Sequence, residues 1–359
     1  GLAIRVFDAL DKLLGKIPGR LCFLTVIGGS LFSTLTGSTM ANTAMLGSLL
    51  VPEMQRRGYN NRMSMGPILG TGGLAMIIPP SSLGVLLASI AGVDVGRLLI
   101  AGLLPGFVLA ALYAALIALQ LWINPDSAPS YDVEPTSWQE KVRQVCVNIL
   151  PMGLVVFMVI GFIVLGWATP SESASFGVVG VVILAVAFRV FTWANFGKSL
   201  VGTIRVVGMV FFILMNSTVF AQLLAISGAG KGLTSWATSF DVAPVLILAA
   251  MFAVLIILGM FMDQVSMMLI TVPIFYPLVQ VLGYDLIWFS LIVLIALEMS
   301  ATTPPFGLLL FIMLGMVKGT TLGEVAGAAA PFLLCDFILV LMLVAFPLLA
   351  LYLPNMMGI

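Results

Sequence analysis

Apolar residues along this chain come in runs of roughly twenty, the length a helix needs to cross the hydrocarbon core of a bilayer. Unbroken runs lie near 98–123, 145–167, 173–191, 206–226 and 327–353. Other apolar stretches are interrupted. Residues 21–51 break at Thr36-Gly37-Ser38-Thr39, and 63–91 break at Pro79-Pro80-Ser81-Ser82. Residues 243–282 break at Asp263-Gln264, and 286–317 break at Pro304-Pro305. Residues 1–20 alternate charged and apolar positions, which predicts an amphipathic helix lying in the membrane interface. Residues 124–143 read as a polar loop, and 227–243 as a short connection whose charges are Lys231 and Asp241.

Composition narrows the class. Hydrophobic residues make up 61% of the 359 and charged residues 8%, against about 25% charged in a soluble domain. The apolar runs are too long for outer-membrane barrel strands, so the expected fold is an all-α polytopic membrane protein. There is no histidine, which excludes His metal sites and a Ser-His-Asp triad. The three cysteines are scattered and form no CxxC. Fifteen basic and fifteen acidic residues cancel, leaving no nucleic-acid footprint.

The interrupted stretches repeat. Adding 225 to residues 52–83 gives 277–308 without a gap, and eight of the 32 pairs are identical, including Gly58/Gly283, Tyr59/Tyr284, Pro79/Pro304 and Pro80/Pro305. Duplicated halves with matching broken helices are a signature of secondary transporters. Arg56, Arg57 and Arg62 flank the first Gly-Tyr, whereas 281–287 contain no Lys or Arg. Basic residues favour the cytoplasmic side, so the two copies are inverted. Re-entrant hairpins at 21–51 and 243–282, entering from opposite faces, place 13 basic residues inside and two, Arg97 and Lys231, outside. Lys318 falls inside and the C-terminus is periplasmic. The counterparts of spans 145–226 fall before Gly1, so a complete first half is expected to have upstream helices. The expected organisation is a lead-in at 1–20, a first transport part at 21–97, scaffold spans at 98–226, a second transport part at 227–318, and a C-terminal scaffold span at 319–359.

Helix breaks inside a membrane leave backbone groups that must face protein, an ion or water. Freed carbonyls and hydroxyls suit sodium, and helix N-termini suit carboxylates. Thr36, Ser38, Thr39, Asn42 and Thr43 supply oxygens at the first hairpin break, and Ser81 and Ser82 follow the first Pro-Pro. Asp263, Gln264 and Ser266 serve the second hairpin, and Ser300, Thr302 and Thr303 precede the second Pro-Pro. A lone membrane hydroxyl more often bonds its own helix, but four clusters at repeat-related breaks favour a site. Asp263 is the strongest candidate, because an intramembrane carboxylate is costly. Glu298 and Asp336 fit either a buried structural pair or a position nearer a surface. Glu172 reads as a helix cap.

The segment Phe32-Ser33-Thr34-Leu35-Thr36-Gly37-Ser38-Thr39-Met40-Ala41-Asn42-Thr43, with Gly58-Tyr59 and Ile78-Pro79-Pro80-Ser81, resembles the large, DctM-like membrane subunit of tripartite ATP-independent periplasmic (TRAP) transporters. So does Thr302-Thr303-Pro304-Pro305-Phe306-Gly307 with Asp263 before it. The resemblance implies a sodium-driven importer of small organic acids, such as dicarboxylates or sialic acids, in the bacterial inner membrane. It implies an inverted-repeat elevator with two re-entrant hairpins and two Pro-Pro broken helices. Its partners would be a small four-helix membrane subunit, a periplasmic solute-binding protein, a carboxylate substrate and lipid. It implies no cofactor beyond sodium ions. Thr36, Gly37, Ser38 and Asn42, with Ala75, Pro79, Pro80 and Ser81, would form one sodium and substrate site. Asp263 with Ser300, Thr302, Thr303, Pro304 and Pro305 would form the other. Thr36 stands where the family has Ser, and Asn42 where it usually has Asp.

Three other readings compete. One is a self-sufficient sodium/dicarboxylate transporter without a binding protein, and another is a channel. The third is a membrane-embedded enzyme, against which the missing histidine and the lack of a clustered catalytic set weigh.

Overall fold

The computed structural model describes residues 2–15, 17–130, 137–228, 232, 235, 236, 239, 242–317 and 319–356. Lys16, Lys231, Asp241 and Lys318, whose charges entered the sequence reading, lie outside the described residues. The chain folds into helices: α1 (Leu2–Leu14), α2 (Arg20–Thr36), α3 (Thr39–Arg56), α4 (Asn61–Ile77) and α5 (Ser82–Ala91). Among the described residues, six helices are long and apolar enough to cross a membrane: α6 (Val95–Ile123), α7 (Trp138–Val164), α8 (Pro170–Ala187), α9 (Trp193–Ser227), α11 (Gln264–Val281) and α14 (Leu322–Ala345). Between and after them come α10 (Pro244–Gly259), α12 (Leu286–Ala301), α13 (Leu308–Met316) and α15 (Leu348–Met356).

The 124–143 stretch is not all loop. A single tight turn occupies Pro125–Ser127, and α7 begins at Trp138. Its first turns, Trp138–Gln144, are polar and mostly exposed, and the helix then runs on into the apolar span. Polar residues there mark the solvated start of a long helix. Thr169 and Glu172 cap α8 reciprocally, as expected. In α1, Val6, Phe7, Ala9 and Leu10 are buried, and the Phe7 ring stacks on Phe32 of α2 at 5.1 Å.

The offset of 225 holds in three dimensions. Shifting α3 by 225 reproduces the bounds of α11, and shifting α4 and α5 gives α12 and α13 within a residue. Ser38 and Asp263 are mates, and each accepts backbone N–H bonds as the N-cap of its helix. So do the mates Asn60 and Asp285. Gly58 and Gly283 both turn the chain at positive φ, 80° and 77°. Pro79-Pro80 and Pro304-Pro305 are both cis. The two Gly-Tyr turns lie at opposite ends of the α4–α5 helix pair. Asn60 and Arg62 line a pocket with Gln120, Asn124 and Gly327. Gly283 to Ile287 line another with Asp94 and Arg97, just beyond the end of α5. The two halves are therefore inverted.

The core lies between the two broken helices. Every residue from Met63 to Ile77 in α4 and from Ile287 to Ala301 in α12 is buried. Phe332 of α14 sits in a notch made by Gly66 and Gly70, where a Cβ would come within 2.7 and 2.5 Å of its ring. Tyr113 of α6 donates a hydrogen bond to Asp336 of α14, both fully inside. By contrast α7, α8 and α9 expose most of their apolar residues, Phe211, Phe212 and Ile226 among them. Such helices suit lipid or a second membrane chain.

Candidate functional site

At the first break, α2 ends on Gly37 and α3 starts from Ser38. Asn42 of α3 donates to the Gly29 carbonyl and the Ser33 hydroxyl of α2, at 3.4 and 3.0 Å, so the second arm folds back along the first. The tip docks on the proline break of α4–α5. The Gly37 carbonyl accepts from the Ser82 backbone N–H at 3.2 Å and from the Ser82 hydroxyl. A Cβ on Gly37 would lie 2.8 Å from the Pro80 carbonyl, and its φ of +55° is in the left-handed region. The α4–α5 pair bends by 42° at the prolines. Thr36 bonds the Phe32 carbonyl, Ser38 accepts from Ala41 N–H, and Ser81 accepts from Gly84 N–H. Ala75 is buried in the last turn of α4.

At the second break, Asp263 is exposed and caps α11. Its carboxylate accepts from the backbone N–H of Val265 and Ser266, both at 3.0 Å, and from the Ser266 hydroxyl at 2.5 Å. Gln264 donates to the Leu297 carbonyl of α12 at 3.2 Å, tying the hairpin to the helix that precedes Pro304-Pro305. Ser300, Thr302 and Thr303 each bond a carbonyl of their own helix. The structure thus gathers the expected residues into two separate groups, one per break. It also gives most of the named hydroxyls a local backbone partner.

A third group joins the two halves; the sequence named Thr39, Asn42, Thr43 and Glu298 one by one but did not bring them together. Glu298 is 3% exposed, and neither carboxylate oxygen has a hydrogen-bond partner. It packs against α4: a Cβ on Gly73 would lie 2.5 Å from its Cγ. Thr43 fills the place a Cβ on Gly72 would take, its Oγ1 at 2.2 Å. The hydroxyls of Thr39, Thr43 and Thr71 and the Asn42 side-chain oxygen are buried without partners. The signal in the sequence was Gly70-Thr71-Gly72-Gly73, small residues where another helix approaches.

A cavity of 810 Å³ lies between α5, α9 and α11, and none of the break residues lines it. An apolar one of 480 Å³ among α7, α8 and α9 reaches Pro80. Among the described residues no three acidic or cysteine side chains cluster as a metal site.

The family model described as "Tripartite ATP-independent periplasmic transporter, DctM component" matches residues 1–349. The C4-dicarboxylate TRAP transporter large permease protein DctM of Pseudomonas aeruginosa is 31% identical over 359 residues, 100% of this chain and 83% of that protein. The ectoine TRAP transporter large permease protein TeaC of Halomonas elongata is 26% identical over 356 residues, 99% of this chain and 82% of that protein. In fold, the chain is similar to the solved YdaH transporter of Alcanivorax borkumensis, with a TM-score of 0.57 at 15% identity, covering 99% of this chain and 83% of that one. With a family match over nearly its whole length and helices that traverse the membrane repeatedly, this chain belongs to the DctM component family of tripartite ATP-independent periplasmic transporters, as a multi-pass inner-membrane permease subunit and not an enzyme.

Proposed function

We propose that this permease imports a small organic acid, a dicarboxylate or similar carboxylate, driven by sodium and by an elevator movement. The name of the Pseudomonas aeruginosa relative supports the dicarboxylate class, and that of the Halomonas elongata relative keeps other solutes open. The observation that supports the mechanism is the pair of repeat-related breaks. At the first, the Gly37 tip carbonyl seats on the N-terminus of α5, and at the second, Asp263 caps α11 while Gln264 ties the tip to α12 before the prolines. Anions favour those N-termini, and sodium favours the carbonyl and hydroxyl oxygens. Each sodium in excess of the substrate's negative charge contributes roughly 2.3 kcal/mol per 100 mV of membrane potential.

The moving body holds both hairpins, α4–α5 and α12–α13. We add α6 and α14 to it, since Phe332 is locked into the Gly66/Gly70 notch and Tyr113 into Asp336. The expected scaffold then narrows to α7, α8 and α9, with the small membrane subunit against their exposed faces. The basic ends of α3 and α4 face the cytoplasm and the C-terminus the periplasm, where the Asp94, Arg97 and Asp285 loops meet the solute-binding protein. The test is substrate flux in proteoliposomes holding the permease and its small subunit, with and without the binding protein, under a sodium gradient. Flux that needs both sodium and the binding protein supports the reading. Flux without the binding protein selects the self-sufficient carrier, and sodium-independent flux overturns the coupling.

A further inference from the structure

We infer that the interior of the moving body holds an alkali cation of its own, on the Glu298 carboxylate and the hydroxyls of α3, behind the two hairpin tips. The inference rests on the transport reading above, and it assigns Thr39 and Thr43, which the sequence offered to the first tip, to a separate interior site with Glu298.

Four observations carry it. Glu298 is 3% exposed, and neither of its oxygens makes a well-formed hydrogen bond, although the Thr39 hydroxyl faces it. A bare carboxylate in such a place costs several kcal/mol, so it takes a cation or a proton. Second, two hydroxyls on the same side are unpartnered as well. Thr39 and Thr43 lie one turn apart on α3 at 2% and 0% exposure. The unpartnered oxygens of Thr71 and Asn42, also at 0%, extend the polar interior toward Gly29 of α2. Thr39 faces Glu298, and Thr43 packs over Gly72 beside it. Hydroxyl, amide and carboxylate oxygens are the ligands a hard, dehydrated cation takes. Third, the small residues hold space open: side chains at Gly72 and Gly73 would collide with Thr43 and Glu298.

Fourth, Gly73 and Glu298 are repeat mates, 225 residues apart. Mates that touch lie on the two-fold axis relating inverted halves. The axis therefore carries one carboxylate facing one glycine, and the pocket is single. Apart from Glu298, its polar members come from the first half. The mates of Asn42, Thr43 and Thr71 are Met267, Met268 and Ala296, which offer no oxygen of this kind. The titratable groups whose charge reaches Glu298 are Asp336 on α14 and, through it, Tyr113 on α6. The Asp336 carboxylate favours a positive occupant, while Tyr113 is a neutral phenol that donates to Asp336.

The test uses the full chain with its small subunit in nanodiscs and radioactive sodium at saturation, with thermal unfolding read in parallel. Glu298→Gln keeps the shape and removes the charge. The expected result is one sodium fewer bound per permease, one fewer positive charge moved per substrate, and a smaller sodium-induced rise in Tm. Thr43→Val, which leaves the carboxylate in place, is expected to lower sodium affinity at least tenfold at that site without removing the tip sites. Unchanged sodium stoichiometry and affinity in both folded variants overturns the inference and leaves the proposed function standing. So does Glu298→Gln with unchanged sodium binding but a lost pH dependence, which makes Glu298 a proton carrier. Wild-type protein that binds no sodium overturns the proposed function itself.

Discussion

The buried faces of α3 and α11 occupy the same place in their halves but differ in chemistry. On α3 the inward residues are Thr39, Asn42 and Thr43, and on α11 the mates are Gln264, Met267 and Met268. Both helices start from an N-cap at the hairpin tip and end at a Gly-Tyr turn. The first half puts its polarity inside, with hydroxyls that lack partners, and keeps its tip neutral at Ser38. The second half puts its charge at the tip, on Asp263, and fills the inside with methionine. The backbone frame is thus held by caps, turns and proline breaks shared by both halves. The side chains on that frame are free to diverge, since a buried oxygen needs only one occupant to satisfy it.

This asymmetry can be tested at the tips, in the interior and at the turns. The largest effect is expected at the first tip. Gly37→Val forces a β-branched residue into the left-handed region, at roughly 1–2 kcal/mol, and drives its Cβ against the Pro80 carbonyl. The docked tip then loses about tenfold or more in occupancy, and substrate flux falls with it. Its mate Met262, which has no positive φ, tolerates Met262→Val within about twofold in flux. Equal losses at both positions break the comparison.

The interior comes next. Asn42→Asp turns a donor to the Gly29 and Thr71 carbonyls into an acceptor. The loss of those bonds costs about 1–3 kcal/mol, read as a lower Tm in choline that sodium partly restores. The mate substitution Met267→Leu conserves volume and stays below about 1.5 kcal/mol, with no sodium dependence. A sodium-independent Asn42→Asp variant removes the interior cation from the argument.

The caps give a smaller effect. Asp263→Ala loses three accepted bonds, and Ser38→Ala loses one at 3.4 Å. Cap removal costs about 0.5–2 kcal/mol, with Asp263 at the upper end and Ser38 at the lower. Thermal unfolding measures both. If each variant also weakens sodium activation of transport, the tips are ion sites as well as caps. If sodium activation survives in both, they are caps alone.

The smallest and most equal effects belong to the turns. Gly58→Ala and Gly283→Ala each place a Cβ at strongly positive φ with no backbone clash, costing about 1 kcal/mol apiece. Matching losses sharpen the view that the frame is common to both halves. A difference above about 1 kcal/mol denies it.

Sequence reasoning located the helix breaks well because each break is local. Pro79-Pro80 removes donors for the turn that contains it, and Ser38 or Asp263 can bond only the N–H groups just beyond it. Glu172 was legible as a cap for the same reason. The ranking of carboxylates went differently. Asp263 stood out by its position in an apolar run, yet it is exposed at a tip and satisfied by Val265 and Ser266. Glu298 ranked lower, yet among the described residues it is the buried carboxylate whose oxygens have no well-formed hydrogen bond. Its surroundings come from α3 and α4, more than 200 residues away along the chain.

Taken alone, the sequence determined the membrane class, the helix breaks, the repeat and its inversion. These follow from apolar run length, from proline and cap chemistry acting within a turn or two, and from loop charge. Only the tertiary structure decided that the Gly37 tip seats on the Pro80–Ser82 break, that Phe332 and Tyr113 join α6 and α14 to the core, and that Glu298 faces its own mate Gly73 across the two-fold axis. Those are contacts between segments far apart in the chain. Which of many apolar faces meet is settled by packing density and by the need to pair or occupy every buried oxygen, and neither condition is local to any run of residues.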